Sequence, residues 1–217
     1  MFILDRAVRF FLMVILSCVQ IAAAPPAEEP RLNRATARAV MRGIPVPLYS
    51  IKRVYCLTGS GTAFLVARDT YVSAFHVSHL GSCTVDGRTI NPIVTEAAKD
   101  FVVFKAPSGD ARPLRVSCKG FIEGEQYRGI GFPAGNDMVV TKLVAGHYIV
   151  GDYLPDLKFR GMRFLRGIIP HGMSGGPIVD RRGVVIGINS ATTNNDTQGL
   201  SRDLADTQLC SAARINS

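Results

Sequence analysis

The stretch His171-Gly172-Met173-Ser174-Gly175-Gly176-Pro177, followed by Ile178-Val179-Asp180, decides how the rest of the chain is read. A serine set among glycines, directly ahead of a short apolar run, has the surroundings a nucleophile needs. Glycine admits the backbone of a sharp turn and leaves room for another backbone to approach. Such a turn can aim the N–H groups of Gly172 and Ser174 at one point, where an oxyanion would form. Gly-x-Ser-Gly alone is common in glycine-rich turns; Gly-x-Ser-Gly-Gly-Pro before a strand is far more specific. The reading then requires a base and an orienting acid upstream.

Outward from this stretch the texture is that of an all-β protein. After Tyr49, short apolar runs alternate with turn residues: Arg53–Leu57, Thr62–Ala67, Tyr71–Phe75, Ile90–Thr95 and Phe101–Lys105 read as strands. Asp86-Gly87 is a tight-hairpin signal. Pro107-Ser108-Gly109-Asp110 breaks the pattern and separates a first unit, about 51–107, from a second, about 112–192, with a tail to 217. The second unit offers Leu114–Cys118, Gln126–Gly131, Val139–Val150, Phe159–Ile169, Pro177–Asp180 and Val184–Ser190 as strands. After Tyr49, helical periodicity is confined to Leu204–Arg214, and no internal repeat is present.

Of four histidines, His76 is the best-placed base, at the end of the apolar run Tyr71-Val72-Ser73-Ala74-Phe75-His76. His79 falls in the loop beyond, and His147 and His171 read as a strand-face and a loop residue. The acid should be buried at the start of an apolar strand, and Asp100 in Lys99-Asp100-Phe101-Val102-Val103-Phe104 meets that condition. His76, Asp100 and Ser174 follow one another in the order of one known triad arrangement.

Ser73-Ala74-Phe75-His76, Lys99-Asp100-Phe101-Val102-Val103-Phe104 and Gly172-Met173-Ser174-Gly175-Gly176-Pro177 resemble the three signatures of chymotrypsin-like serine proteases. Gly59-Ser60-Gly61-Thr62 and Gly183-Val184-Val185-Ile186-Gly187-Ile188-Asn189-Ser190 are similar to the protease domain of the high-temperature-requirement branch. The resemblance covers about residues 53–192. It implies two perpendicular six-stranded antiparallel β-barrels with the active site in the cleft between them. It also implies acyl transfer: Asp100 orienting His76, His76 taking the Ser174 proton, and the Gly172 and Ser174 N–H groups holding the oxyanion. Ser190 would donate to Asp100. Ile168 and Ile169 would line the primary pocket, with Ser190, Ala191 and Thr192 as further substrate-binding positions. Two isoleucines offer no partner for a charge, so a small or medium aliphatic side chain is expected before the scissile bond. Asn189 stands where glutamate- and glutamine-specific relatives place a histidine, which argues against that preference.

Three departures accompany the resemblance. Only 43 residues follow Ser174, too few for the branch's C-terminal peptide-binding module beside the last strands, so such a module is not expected. The 24-residue step from His76 to Asp100 is short and implies a trimmed first barrel. The Ile-Val-Gly-Gly-like start of zymogen-derived trypsins is absent.

Residues 1–24 read as a signal peptide or membrane anchor. Arg6 and Arg9 precede an apolar run from Phe10, and Ala22-Ala23-Ala24 supplies a small-residue cleavage site. Phe10 to Ala24 is 15 residues, short of the roughly 20 a spanning helix needs. Pro25 after the alanines leaves an uncleaved anchor open, and Leu16-Ser17-Cys18 loosely resembles a lipoprotein box. Residues 25–50 form a Pro/Arg-rich linker or propeptide, in which Arg31, Arg34, Arg38 and Arg42 would share one face of a short helix. The expected location is therefore periplasmic or extracellular, with membrane association through the N-terminal segment.

Cys56, Cys83, Cys118 and Cys210 allow two disulfides in three connectivities. Cys56 and Cys83 flank the first strands and bracket His76, which favours pairing them and leaves Cys118 with Cys210. The cysteines lack Cys-x-x-Cys spacing, and nothing calls for a metal or organic cofactor. The formal charge of +8 favours anionic partners but also serves solubility. Arg160, Arg163 and Arg166, interleaved with Phe159 and Phe164, read as a solvated strand face, and no specific nucleic-acid contact is expected. The expected partner is a polypeptide substrate of an exported serine endopeptidase. The alternatives are a catalytically latent binding or structural module on the same fold, and an anchored viral or phage processing protease that cleaves itself between residues 25 and 50.

Overall fold

A computed structural model of the chain describes residues 43–134, 137–154, 159–192 and 198–215. The expected signal segment, Arg31 to Arg42 and most of the linker lie outside these residues. The first unit is an antiparallel sheet of β1 (Ile51–Cys56), β2 (Gly59–Ala67), β3 (Thr70–Ser73), β4 (Cys83–Val85), β5 (Arg88–Thr89), β6 (Asn91–Glu96) and β7 (Phe101–Lys105). Its seven strands run in the order β5-β4-β1-β2-β3-β7-β6 and form a curled half-barrel. The second unit closes fully, as a six-stranded barrel in the order β10-β13-β12-β11-β8-β9. It is built from β8 (Gln126–Gly131), β9 (Val139–Leu154), β10 (Phe159–Arg166), β11 (Pro177–Val179), β12 (Val185–Thr192) and β13 (Gln198–Asp203).

The first sheet is apolar on both faces, because successive side chains along a strand point to opposite sides. Leu65, Tyr71 and Phe104 sit opposite one another across β2, β3 and β7 and fill the inside of the half-barrel with Val54, Ala63 and Val85. Phe64, Val72 and Val103 alternate with them and face the other way. There they join Ile130, Phe132, Val179, Val185, Ile188 and Leu204 in one cluster shared by both units. Fully burying each such side chain stabilises by roughly 1.5–3 kcal/mol, so the shared cluster fixes how the two units dock.

Turn chemistry is as the sequence indicates at Asp86-Gly87, where both residues have positive φ (48° and 73°) between β4 and β5. Other expectations are corrected. The run Tyr71–Phe75 does not continue as a strand: β3 stops at Ser73 and Phe75–Ser78 forms a one-turn helix, α1. Leu114–Cys118 makes only an isolated parallel bridge, Val116 to Val185, because it runs beside the barrel wall rather than within it. β10 ends at Arg166, ahead of Gly167. Strand β13 has no counterpart in the sequence reading. The terminal helix, α2 (Gln208–Ile215), begins after a 3-10 turn at Leu204–Asp206.

Two disulfides close the chain, Cys56–Cys83 and Cys118–Cys210. Cys56 and Cys83 face each other directly in the β1–β4 register. Cys118–Cys210 pins the segment before β8 to α2. Their loops span 27 and 92 residues, worth about 3.5 and about 4.6 kcal/mol in the chain-entropy account. Replacing both members of the Cys118–Cys210 pair by alanine is therefore expected to cost about 1 kcal/mol more than replacing Cys56 and Cys83. Denaturant unfolding of the two variants measures the difference, and equal costs would rule out loop length as the cause.

Candidate active site

The site is assembled around a carboxylate with no access to solvent. Asp100 follows the 3-10 turn Ala97–Lys99 and takes a left-handed conformation, φ 51° and ψ 47°, before β7 begins. That bend turns its side chain inward, and the residue is 0 % exposed. Burying a carboxylate is costly unless donors surround it. Oδ1 accepts the His76 backbone N–H at 2.9 Å, and the His76 Nδ1 lies 2.9 Å from Oδ1 and 3.0 Å from Oδ2. Ser190 Oγ, from β12, donates to Oδ2. The carboxylate of the first sheet is thus held by both units.

His76 sits in the first turn of α1, not at a strand end, and this explains why its own N–H is available to Asp100. Burial pulls the imidazole pKa down, but the charge and hydrogen bond of Asp100 outweigh it and hold the ring above its ordinary value of 6.5. His79, His147 and His171 are exposed. His79 packs on the Phe75 ring and His147 on the Phe164 ring.

Ser174 lies in the glycine-rich loop between β10 and β11. Gly172 and Gly175 have φ of +91° and +85°. A Cβ on Gly175 would stand 2.1 Å from Ser73 Oγ and 2.2 Å from Thr62 O; one on Gly172 would stand 2.6 Å from Phe132 O. Glycine is therefore required twice, by conformation and by space. Several N–H groups of the loop are engaged: Met173 on Pro170 O, Gly175 on Asn189 O and Gly176 on Met173 O. Those of Gly172 and Ser174 donate to no acceptor among the described residues. Ser174 Oγ donates to Ser190 O at 2.8 Å. A hydroxyl has one hydrogen, so in this rotamer it is not given to His76.

Thr62, on β2, is a residue whose part sequence reasoning missed. It is fully buried, and its N–H donates to Ser174 O at 2.8 Å while its Oγ1 donates to Gly172 O at 2.9 Å. The same hydroxyl accepts the Phe132 N–H at 3.0 Å, and Ser73 Oγ donates to Thr62 O at 2.7 Å. The signal was available, since Thr62 ends the Gly59-Ser60-Gly61-Thr62 motif and Ser73 opens Ser73-Ala74-Phe75-His76.

The residues expected around the primary pocket divide. Ile169 is buried against Gly199, and its carbonyl accepts Thr192 Oγ1. Ile168 is 54 % exposed and stands outside that apolar cluster. Ser190 is buried, while Ala191 and Thr192 are half-buried along β12. Asn189 is fully buried, with Nδ2 directed at Ile130 O at 3.3 Å and Oδ1 without a partner among the described residues. The arginine stripe on β10 is corrected: Arg160 and Arg166 are exposed, but Arg163 pairs with Asp203 at 3.1 Å and donates to Gly146 O. Residues three apart on a strand point to opposite faces, so alternation already sets Arg163 apart from Arg160 and Arg166.

Residues 61–188 match the family model of the trypsin-like peptidase domain, more than half of the chain. The chain belongs to that family. Serine protease HhoA of Synechocystis sp. is 31 % identical over 163 residues, 69 % of this chain and 40 % of that protein. The chain thus spans about two fifths of the length of this relative. The solved structure of the inactive form of the Rv3671c protease superposes with a TM-score of 0.64 at 17 % identity, covering 89 % of this chain and 100 % of that one. The HtrA-type protease AlgW, solved with a tripeptide, gives 0.65 at 22 % identity over 83 % of this chain and 62 % of its own. The family match shows a trypsin-like peptidase domain, and the solved structures share its fold.

Thr62→Val keeps the shape and removes the hydroxyl, leaving Gly172 O and Phe132 N–H unpaired in the interior. Each unpaired buried group costs about 1–3 kcal/mol. The variant is expected to lose about 2–4 kcal/mol of stability and more than tenfold in fluorophosphonate labelling rate; urea unfolding and timed labelling check both. The raised His76 pKa gives a second expectation. A base works only when neutral, so kcat/KM should rise with pH through the His76 pKa, and its acid limb should lie above pH 6.5. An acid limb below that value would show that Asp100 does not outweigh burial.

Proposed function

We propose that this chain is an exported serine endopeptidase working through an acyl-enzyme. The observation that carries the reading is the shared position of Ser190, which donates Oγ to Asp100 and accepts Ser174 Oγ on its carbonyl. One strand residue thereby stands between the candidate acid and the candidate nucleophile, while His76 is bound to the same carboxylate. In this reading Asp100 holds His76 with Nδ1–H facing the carboxylate, which leaves Nε2 as the base. Ser174 turns from Ser190 O toward Nε2, gives up its proton and attacks the peptide carbonyl. The carbonyl oxygen becomes an oxyanion between the Gly172 and Ser174 N–H groups, each donor worth roughly 3 kcal/mol of barrier. The imidazolium returns the proton to the leaving amine, and water completes the cycle by the same path.

The substrate is a polypeptide. The apolar surface of Ile169 beside Gly199 supports a small or medium aliphatic residue before the scissile bond, with Ala191 and Thr192 along the substrate strand. Export is supported by the N-terminal segment of the sequence and by two disulfides, which persist in oxidising compartments. Membrane association through the first 24 residues belongs to the same reading. The resting Ser174 rotamer favours one alternative, a latent domain that binds polypeptide and acquires activity when a partner turns the serine.

Labelling of the purified full chain with a fluorescent fluorophosphonate separates the two. Ser174→Ala should abolish labelling, and His76→Ala should lower its rate by about 10³-fold or more. A folded wild-type protein that does not label would overturn the constitutive enzyme and leave the latent domain.

A further inference from the structure

Arg202 is among the largest fully buried side chains of the protein, 1 % exposed, on strand β13 of the second barrel. A buried cation without compensation costs several kcal/mol, so its partners reveal what it is retained for. Among the described residues it makes no ion pair within 4.0 Å. Its donors instead go to three backbone carbonyls and a sulfur. Nη1 donates to Gly161 O, Nη2 to Arg160 O and to Met162 Sδ at 3.1 Å, and Nε to Lys99 O. The first three lie on β10, where the register with β9 slips between Arg160 and Met162. The fourth belongs to the other unit, 103 residues away in the chain.

The Lys99 carbonyl is half of the peptide that leads into Asp100. On its far side Asp100 has φ of 51°, a conformation that non-glycine residues rarely adopt and that costs of order 1–3 kcal/mol unless its surroundings hold it. The turn before it is held from outside as well. Lys99 Nζ pairs with Glu96 Oε1 at 2.8 Å, and Glu96 Oε2 accepts the Gln208 N–H at 2.8 Å. The Arg202 contact differs from these in coming from a fully buried side chain of the other unit. Burial lowers the Arg202 pKa, and the charges of Tyr148, Asp100, Asp206 and Asp203 oppose that shift.

We propose that Arg202 is a positioning residue: its guanidinium, seated in the second barrel, grips the Lys99–Asp100 peptide and fixes where the Asp100 carboxylate meets His76 and Ser190. The inference rests on the triad reading given above. Arginine suits the task because its planar fork serves several fixed acceptors at once, which a lysine ammonium does not. Without the Nε contact the Asp100 bend is free to relax. His76 would then lose its orientation, although none of the reacting groups has been altered. Misplacing a catalytic group by about 1 Å can cost on the order of 10²-fold in rate.

The test compares wild type with Arg202→Lys and Arg202→Gln, using purified full chain and a peptide substrate. If Arg202 positions Asp100, the folded variants lose about 10- to 100-fold in kcat with KM within about twofold of wild type. The low-field proton resonance of His76 Nδ1–H shifts or broadens in parallel. A role confined to capping the β10 carbonyls would lower thermal stability and leave kcat and that resonance unchanged, which overturns the proposal. Should neither variant fold, wild type alone provides the test. The Arg202 Nε–H must then exchange slowly and show a nuclear Overhauser effect to the Asp100 amide, and a rapidly exchanging Nε–H without one overturns the clamp. Asp100→Asn, measured alongside, isolates the underlying reading: activity abolished by Ser174→Ala yet retained by Asp100→Asn would remove the triad assignment itself.

Discussion

The structure depends on the satisfaction of one buried carboxylate. Asp100 belongs to the first sheet, yet it cannot be accommodated by that sheet alone: the His76 N–H and ring come from its own unit, and Ser190 Oγ comes from the second. A carboxylate in a dry interior is tolerated only with donors on both oxygens, so the two units must dock in one register for the fold to close. The apolar cluster that joins Phe64, Val72 and Val103 to Ile130, Val185 and Ile188 supplies the attraction between units. It is non-directional, and the hydrogen bonds around Asp100 select the register.

Thr62 plays the corresponding part for the loop that carries Ser174, the candidate nucleophile. One buried hydroxyl and one N–H from β2 hold the carbonyls of Gly172 and Ser174, so the glycine-rich loop of the second barrel takes its shape from the first sheet. Fixing those two carbonyls also fixes the peptide planes of the loop, and the Gly172 and Ser174 N–H groups remain uncommitted. Directed, unspent donors of this kind are what stabilisation of a developing negative charge requires, because they need no reorganisation during reaction. The candidate site lies where the units meet, because Ser190 of the second unit holds Asp100 and Thr62 of the first holds the Ser174 loop.

Much of the site was legible because its residue types are locally constrained. The glycines at 172 and 175 can be read from sequence, since positive φ and steric closeness exclude other residues there. Asp86-Gly87 is readable for the same reason. The order His76, Asp100, Ser174 singles out three candidates, and the structure brings His76 and Asp100 into contact with Ser174 joined to them through Ser190. Less was legible where polar residues are buried. Gln198-Gly199-Leu200-Ser201-Arg202-Asp203 holds a single large apolar residue, yet all but Gln198 are buried in a strand of the barrel. Its charges are matched by Lys99, Arg160, Gly161 and Arg163, partners that no local pattern announces. The strand expected over Tyr71–Phe75 stops at Ser73 and gives way to a helical turn from Phe75, because a short apolar run has no decisive period.

The sequence by itself determined the β class, the turn and loop positions that only glycine can fill, and the identity of the candidate acid, base and nucleophile. These follow from preferences that act over a few residues, in backbone dihedrals and in the alternation of side chains along a strand. The tertiary structure alone decided that Arg202 reaches the peptide leading into Asp100 across 103 residues, that Thr62 shapes the Ser174 loop, and that Arg163 turns inward to Asp203. The physical reason is that a buried polar group is stable only beside its partner. Which partner arrives is set by closure of the whole chain, not by its neighbours in sequence.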